Sequence, residues 1–250
     1  GVYHLWTLQD ANALQPFLQR GKKLLVLGSG FVALQAAWAA LSNGVSVVIY
    51  ELMDRIMPKV LDTEGSRLLE RQITSCGAEV YTGVHTEGIQ RLKDGKIVVS
   101  AKEVPPLSVD FIVVGAGVRP NTGFLQKDTL EVEPNTGGIL INDRMETSAE
   151  NIYAAGDVAL GPSTFGSRHQ LCALWPTAVE HGKIAGANMT GKQFEYRGSL
   201  NMNVTEMWGV TVASIGIFQE PKEPAEYSYQ VYSSYDDDNR RYIKLLAHND

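Results

Sequence analysis

The chain is poor in cysteine, in long apolar runs and in clustered positive charge. Its two cysteines, Cys76 and Cys172, lie far apart in 250 residues. That spacing excludes a disulfide framework and points to a reducing, cytoplasmic compartment. No apolar run approaches the ~18 residues of a membrane-spanning helix and no signal peptide is visible, so no membrane partner is expected. Lys and Arg number 22 against 28 Asp and Glu, a net charge of −6, and they form no basic patch, so no nucleic-acid partner is expected either. No histidine or cysteine spacing suggests a metal site, and there are no internal repeats. Apolar content of 44% and charged content of 20% are ordinary for a globular chain with core for one or two domains. The first residue is Gly1 rather than Met, which reads as a processed tag or a piece excised from a longer chain.

What is present centres on residues 22–51, KKLLVLGSGFVALQAAWAALSNGVSVVIYE. The apolar run 24–27 reads as a buried strand turning at Gly28-Ser29-Gly30. Residues 31–41 are good or tolerable helix formers, and Asn43-Gly44 supplies the stop. Residues 45–50 form a second β-branched strand ending on Glu51. Gly28 permits the tight turn, Gly30 a close approach of backbone to a pyrophosphate, and Ala33 close packing of helix on strand. The helix N-terminus, at Phe31 and Val32, then faces the phosphates. Glu51, 23 residues after Gly28, is placed to accept hydrogen bonds from both hydroxyls of an adenosine ribose, which favours NAD(H) and repels a 2′-phosphate.

The remaining chain reads as follows. Residues 1–20 form a lead-in segment with a short helix capped by Thr7 or Asp10 and with Pro16 awkward near its end. Asp62-Thr63-Glu64 starts a helix ending near Cys76-Gly77, and residues 78–81 form a third strand. Residues 86–92 and 96–100 flank Asp94-Gly95 as a hairpin, and 109–114 form one further buried strand. A parallel β-α-β-α-β core with a hairpin insertion thus accounts for residues 21–118. Residues 119–194 make a second region, with short strands at 139–141 and 151–155, no periodicity over 160–174, and a helix over 176–189 with Pro at its start. Strands at 201–208, 210–217, 226–235 and 240–247 open an antiparallel α+β module over 195–250, with Asp236-Asp237-Asp238-Asn239 as a solvated turn.

Three motifs in order carry a family resemblance: the fingerprint from Gly28 to Glu51, then Gly117-Val118-Arg119-Pro120-Asn121, then Thr147-Ser148 with Ile152-Tyr153-Ala154-Ala155-Gly156-Asp157. The chain resembles a flavoprotein reductase of the pyridine nucleotide–disulfide oxidoreductase superfamily. The nearest group is that of nitrite reductase flavin domains, NADH oxidases, CoA-disulfide reductases and rubredoxin reductases. The resemblance implies an α/β fold with a Rossmann-like NAD domain, part of an FAD domain and the start of an interface domain. It implies NAD and FAD as cofactors and hydride transfer from NADH to FAD and on to an unidentified acceptor, a small molecule or a small redox protein. It leaves a homodimer among the expectations. Gly28, Ser29, Gly30, Phe31, Val32 and Glu51 would bind NADH, with Gly117 walling the nicotinamide. Asp157 would hold the ribityl–pyrophosphate region of FAD. The amides near Thr177 and Ala178, at a helix N-terminus, would face the flavin pyrimidine. No catalytic acid or base is implied.

That family carries a further glycine-rich FAD unit ahead of its NAD domain. The expectation is therefore a piece holding about half of the FAD site, binding NADH weakly by itself and retaining little FAD. Gln35 stands where many relatives have Glu, so no charge-based flavin tuning is implied there. Cys76 and Cys172 read as packed or surface thiols, although Arg168 and His169 are near enough in sequence to lower the Cys172 pKa. His85 and His181 read as surface residues, Trp175 as stacking by the flavin or packing a domain junction, and Tyr227, Tyr229, Tyr232 and Tyr235 as lining a strand face. The other reading is a non-catalytic NAD-binding module for redox sensing or docking; a flavin-free dehydrogenase is weaker, lacking an acid–base pair after the Rossmann unit.

Overall fold

The computed structural model describes residues 1–165, 169–219, 229–236 and 241–248. The expected roles of Arg168 and Tyr227, the start of the strand at 226 and the turn at 237–239 lie outside the described residues. The described chain divides into two compact units. The first holds Gly1–Gly117, Val204–Val212 and the described part of Ser233–Ile243; the second holds most of the remainder.

The first unit begins with β1 (Val2–Tyr3) and α1 (Leu8–Leu14). Both cap candidates are used: Thr7 Oγ1 accepts from the Asp10 N–H at 3.2 Å, and the Asp10 carboxylate accepts from the Thr7 N–H at 2.7 Å, a reciprocal capping box. Pro16 is accommodated because the chain tightens into a 3-10 turn, Gln15–Phe17, with proline in its first positions. There follow β2 (Lys23–Leu27), α2 (Phe31–Ser42), β3 (Ser46–Tyr50), α3 (Thr63–Ser75) and β4 (Glu79–Tyr81). The Asp62 carboxylate caps α3 through the Gly65 N–H at 2.9 Å and accepts from the Tyr242 hydroxyl at 2.8 Å. Next come β5 (Thr86–Arg91), β6 (Ile97–Ala101), β7 (Leu107–Val109) and β8 (Phe111–Val114).

The main sheet is wholly parallel, in the order β1-β8-β2-β3-β4. One face, with Leu24, Val26, Ile49 and Phe111, packs under α2 and α3. The other, with Leu25, Val48 and Ile112, packs on Ile97, Val99 and Val109 of an antiparallel sheet ordered β5-β6-β7. Burial on both faces explains the unbroken apolar strands. This is the α/β, Rossmann-like arrangement read from the sequence, with two corrections. The lead-in segment contributes an edge strand, and the expected single strand 109–114 is two strands in different sheets. The break is Asp110, whose N–H donates to the Lys23 carbonyl and whose carboxylate takes the Lys23 N–H, Lys22 Nζ and Lys96 Nζ at 2.8, 3.2 and 3.0 Å. Gln35, on the outside of α2, donates to Thr205 Oγ1 at 3.0 Å. Trp208 is fully buried against Trp38 with ring centroids 5.1 Å apart.

The second unit contains β9 (Ile139–Leu140), β10 (Ala159–Pro162), β11 (His169–Leu171) and α4 (Trp175–Met189). β10 runs parallel to β9 and antiparallel to β11, so residues 160–174 hold paired strands although their sequence shows no periodicity. The expected strand 151–155 is reduced to one bridge, Tyr153 with Glu146, followed by a 3-10 turn, Gly156–Val158. Asn188, buried on α4, ties this unit together: its amide donates to the Arg144 and Phe194 carbonyls, both at 2.9 Å. Last come two hairpins, β12 (Met202–Met207) with β13 (Val210–Ile215), and β14 (Tyr229–Asp236) with β15 (Arg241–His248). Tyr229 and Tyr235 lie on one face of β14 and Tyr232 on the other by strand alternation, so the tyrosines do not share one face. Among the described residues no helix is long and apolar enough to cross a membrane.

Candidate functional site

The parallel sheet brings both ends of the Gly28–Glu51 fingerprint and the start of the second motif, at Gly117, to its carboxyl edge. β2 sits between β8 and β3, so the chain leaves the sheet in opposite directions on its two sides. Such a reversal opens a crevice beyond the strand ends. Into it lead Gly28-Ser29-Gly30 after β2, Glu51 after β3, and Gly115-Ala116-Gly117 after β8.

The glycines of this edge divide by the reason for them. Gly28 has φ +101°, and a Cβ there would stand 2.6 Å from the Gly115 carbonyl oxygen. A Cβ on Gly115 would stand 2.6 Å from that of Ala33. Both serve the close approach of α2 to the turn after β8, which is where the small Ala33 side chain matters. Gly30 is different: its φ is −71° and a Cβ would have nothing nearer than 3.9 Å. Nothing inside the fold requires glycine there, while a ligand lying on the backbone would. Gly117 has φ +103° with open space around it.

α2 starts at Gly30 with no side-chain cap. The Leu34 N–H is the first to close a helical bond, to Gly30 at 3.0 Å, so the Phe31 and Val32 amides have no partner within the helix. Ser29 is 1% exposed and Glu51 7%. The Ser29 hydroxyl donates to Glu51 Oε2 at 2.5 Å and accepts from the Met57 N–H at 2.9 Å, while Glu51 Oε1 accepts from the Met53 N–H at 2.8 Å. Ser29 thus turns inward to the acid and presents no surface of its own to a ligand.

The second unit holds the remaining residues singled out from the sequence. Asp157 is exposed, and its carboxylate has no partner among the described residues. It follows Gly156, which has φ +74° and packs with a would-be Cβ 3.3 Å from that of Ala178. The N-terminus of α4, capped by no side chain, therefore lies beside the Gly156-Asp157 turn. Its unbonded first-turn amides are those of Trp175 and Thr177, since Pro176 has none. The Ala178 N–H, expected as a donor to a ligand, is instead used on the Leu174 carbonyl at 3.0 Å. Thr177 is buried with Oγ1 3.3 Å from Cys172 Sγ. Burial raises the Cys172 pKa, with the Thr177 contact opposing, so the expected lowering is reversed. Trp175 is 82% exposed.

His181 overturns its surface reading: it is 2% exposed. Its Nδ1 lies 3.4 Å from the Gly156 nitrogen and its Nε2 3.3 Å from Ser199 Oγ; Ser199 Oγ lies 3.3 Å from the Tyr196 hydroxyl, itself 3.0 Å from Glu180 Oε2. Proton counting fixes the chain. A backbone N–H only donates, so Nδ1 accepts and Nε2 carries the proton toward Ser199. The carboxylate only accepts, so Tyr196 donates to Glu180 and receives from Ser199. Burial lowers the His181 pKa, with Glu180 opposing, and burial with Glu180 beside it pushes Tyr196 up to about 12. The lowered His181 pKa agrees with a neutral imidazole. Thr177, His181, Ala185 and Asn188 are the buried residues of α4, a helical stripe that was the available sequence signal for His181.

These features define a dinucleotide-type α/β unit joined in sequence to a second, smaller one. The model of the pyridine nucleotide-disulphide oxidoreductase family matches residues 1–182, and the chain belongs to that family. It is 28% identical over 214 residues to an NADH oxidase of Enterococcus faecalis, covering 84% of this chain and 47% of the relative. It is 29% identical over 245 residues to the large subunit of nitrite reductase (NADH) of Escherichia coli, covering 98% and 28%. Among solved structures, an NAD-dependent persulfide reductase from A. fulgidus superposes with a TM-score of 0.85 at 26% identity, covering 99% of this chain and 47% of that one. The chain thus spans less than half the length of each.

Proposed function

We propose that the chain is the NADH-binding part, with a portion of the FAD site, of a flavoprotein oxidoreductase that passes hydride from NADH to FAD and on to an acceptor. The observation that carries this reading is the convergence of Gly28–Gly30, Glu51 and Gly115–Gly117 at one sheet edge. The residues fit the nucleotide: Gly30 leaves open space no fold contact uses, the Phe31 and Val32 amides point their positive ends outward, and Glu51 offers lone pairs to a ribose diol. Gly28 and Gly115 would set this cradle, and Gly117 would leave room beside the nicotinamide.

The flavin-side residues fit as well. Asp157 is exposed with no hydrogen-bond or ion-pair partner among the described residues, and beside it lie the α4 amides at Trp175 and Thr177, which no side chain caps. Ala178 would contribute packing under Gly156 rather than a donor. When bound, the flavin supplies the two-electron chemistry. This chain's residues bind and orient, and none needs to move a proton.

The acceptor class is an oxidised small molecule or small redox protein. Two free cysteines support a cytoplasmic setting, and exposed Met202, Val204 and Ile215 on one hairpin support self-association as a homodimer. The direct test titrates the purified chain with NADH by nicotinamide fluorescence, then records visible absorbance after adding FAD and NADH. Saturable NADH binding weakened in Glu51→Ala supports the reading, and a flavin band bleached by NADH extends it to catalysis. Binding of NADH with no flavin response leaves the NADH site standing and moves the test to a longer chain carrying the first FAD unit, where a colourless protein favours the non-catalytic module; no NADH binding sinks both.

A further inference from the structure

We propose that Ser29 is the residue that sets nicotinamide specificity, by acting on Glu51 and on the loop behind it. The inference rests on the NADH reading above and assigns the turn residue a task other than touching phosphate. Glu51 is the acid that would meet the ribose, and a carboxylate on a flexible side chain discriminates only if its oxygens are held. Here both are. Oε1 is fixed by the Met53 N–H at 2.8 Å and Oε2 by the Ser29 hydroxyl at 2.5 Å. Each oxygen keeps a further lone pair, so the pair faces a vicinal diol with its geometry already set.

The same hydroxyl accepts the Met57 N–H at 2.9 Å. Ser29 therefore also closes residues 52–57, the loop that a 2′-phosphate would have to displace. That loop is tied at other points. The Met53 carbonyl accepts from the Gly83 N–H at 2.7 Å and the Ile56 carbonyl from the Ser66 hydroxyl at 2.7 Å. Its one cation, Arg55, is bonded to Asp54 at 2.8 Å. Ile56 and Met57 are 0% and 1% exposed, so the loop has little freedom to open. Ser29 has one proton and must give it to the carboxylate, which only accepts. The direction of both bonds is thereby fixed, and a non-donor at position 29 frees the acid and the loop together.

The test measures NADH and NADPH affinities of the 250-residue chain by nicotinamide fluorescence, for wild type, Ser29→Ala, Glu51→Ala and the double variant. We expect wild type to prefer NADH and Ser29→Ala to weaken NADH about tenfold, the scale of a hydrogen bond to a charged group, while changing NADPH less than about twofold. Glu51→Ala should abolish the preference, and Ser29→Ala should add nothing to it, because Ser29 works through Glu51. Ser29→Cys keeps the volume and substitutes a weak donor; it should shift the ratio in the same direction, which covers the case in which the alanine variant folds poorly. Wild-type binding with the NADH:NADPH ratio unchanged in both Ser29 variants overturns the role of Ser29 and leaves the NADH reading standing. So does an additive loss in the double variant. A wild-type chain that binds neither nucleotide overturns both.

Discussion

The two units each present an acid, and they prepare it in opposite ways. Glu51 is almost completely buried, with each carboxylate oxygen already bonded, to Ser29 and to the Met53 N–H. Asp157 is exposed with a carboxylate that has no hydrogen bond or ion pair among the described residues. Its order lies behind it, in the left-handed Gly156 and the hydrogen-bonded run from buried His181 through Ser199 and Tyr196 to exposed Glu180. A site that discriminates between two similar ligands needs its acceptor fixed before the ligand arrives, whereas one that only anchors a ligand can leave a carboxylate in water until it is needed. The difference teaches where rigidity is spent: on the side chain in the first unit, on the backbone in the second.

The largest effect should come from the backbone of the first unit. Gly28→Ala places a Cβ 2.6 Å from the Gly115 carbonyl at a φ of +101°. We expect a loss on the order of 3 kcal/mol, read as a fall in the urea midpoint, together with loss of NADH binding. A Gly28→Ala chain with wild-type stability would mean that the turn is not held against β8 as described, and the first unit would lose its claim to being preset.

Next comes the backbone support of the second unit. His181→Phe fills the space but cannot accept the Gly156 N–H or donate to Ser199, and should cost about 2 kcal/mol. His181→Asn, which keeps an acceptor near Nδ1, should recover part of this. The same residue predicts a pH dependence. The folded state lowers the His181 pKa below 6.5, so the unfolded chain binds the extra proton first as pH falls. Stability from this group is complete above about 6.5 and declines below it until the folded pKa is passed. Urea titrations between pH 5 and 8 of wild type and His181→Phe check this: the decline below about pH 6.5 should be smaller in the variant. Equal slopes would remove His181 from the support of the turn.

Gly30→Ala separates ligand from fold. With nothing nearer than 3.9 Å to the added methyl and φ at −71°, stability should hold within about 0.5 kcal/mol. NADH affinity should fall about tenfold or more as the methyl meets the pyrophosphate. Thermal melting beside fluorescence titration reads both quantities on one sample.

These expectations also mark what the sequence could tell. The turn, helix and acid of residues 22–51 were legible because glycine, small residue and carboxylate each answer a local demand. The capping box at Thr7 and Asp10 was half legible, since either residue alone suffices as a cap and only the geometry shows both in use. What escaped depends on distant partners. Val2–Tyr3 is too short to show a period, and it is a strand only because β8 runs beside it. Residues 109–114 look continuous until Lys22, Lys23 and Lys96 gather on Asp110. His181 taken singly looks like a surface residue, whereas Thr177, Ala185 and Asn188 at helical spacing mark its face as the inner one. The resemblance implies a ligand for the Ala178 amide, and the helical hydrogen bond to Leu174 gives it to the helix.

The smallest effect is the most direct test of the contrast between the acids. Asp157→Asn removes a charge that no described side chain opposes and no described donor holds, on a residue open to water. Exposed substitutions away from caps, pairs and strained backbone stay within about 0.5 kcal/mol, so the melting temperature of the chain should not move measurably. Glu51→Gln should, because an amide offers one acceptor oxygen where two are in use, and its NH₂ would face either the Ser29 hydroxyl or the Met53 N–H. A cost of about 1–2 kcal/mol follows from one compromised buried hydrogen bond. Measured side by side, the pair isolates preparation from function: Asp157→Asn altered in flavin retention but not in stability is the signature of an anchoring acid, and Glu51→Gln altered in NADH affinity and in stability is that of a preset one. If Asp157→Asn destabilises the chain as much as Glu51→Gln, the second unit is wired through its acid after all, and the division between side-chain and backbone rigidity falls.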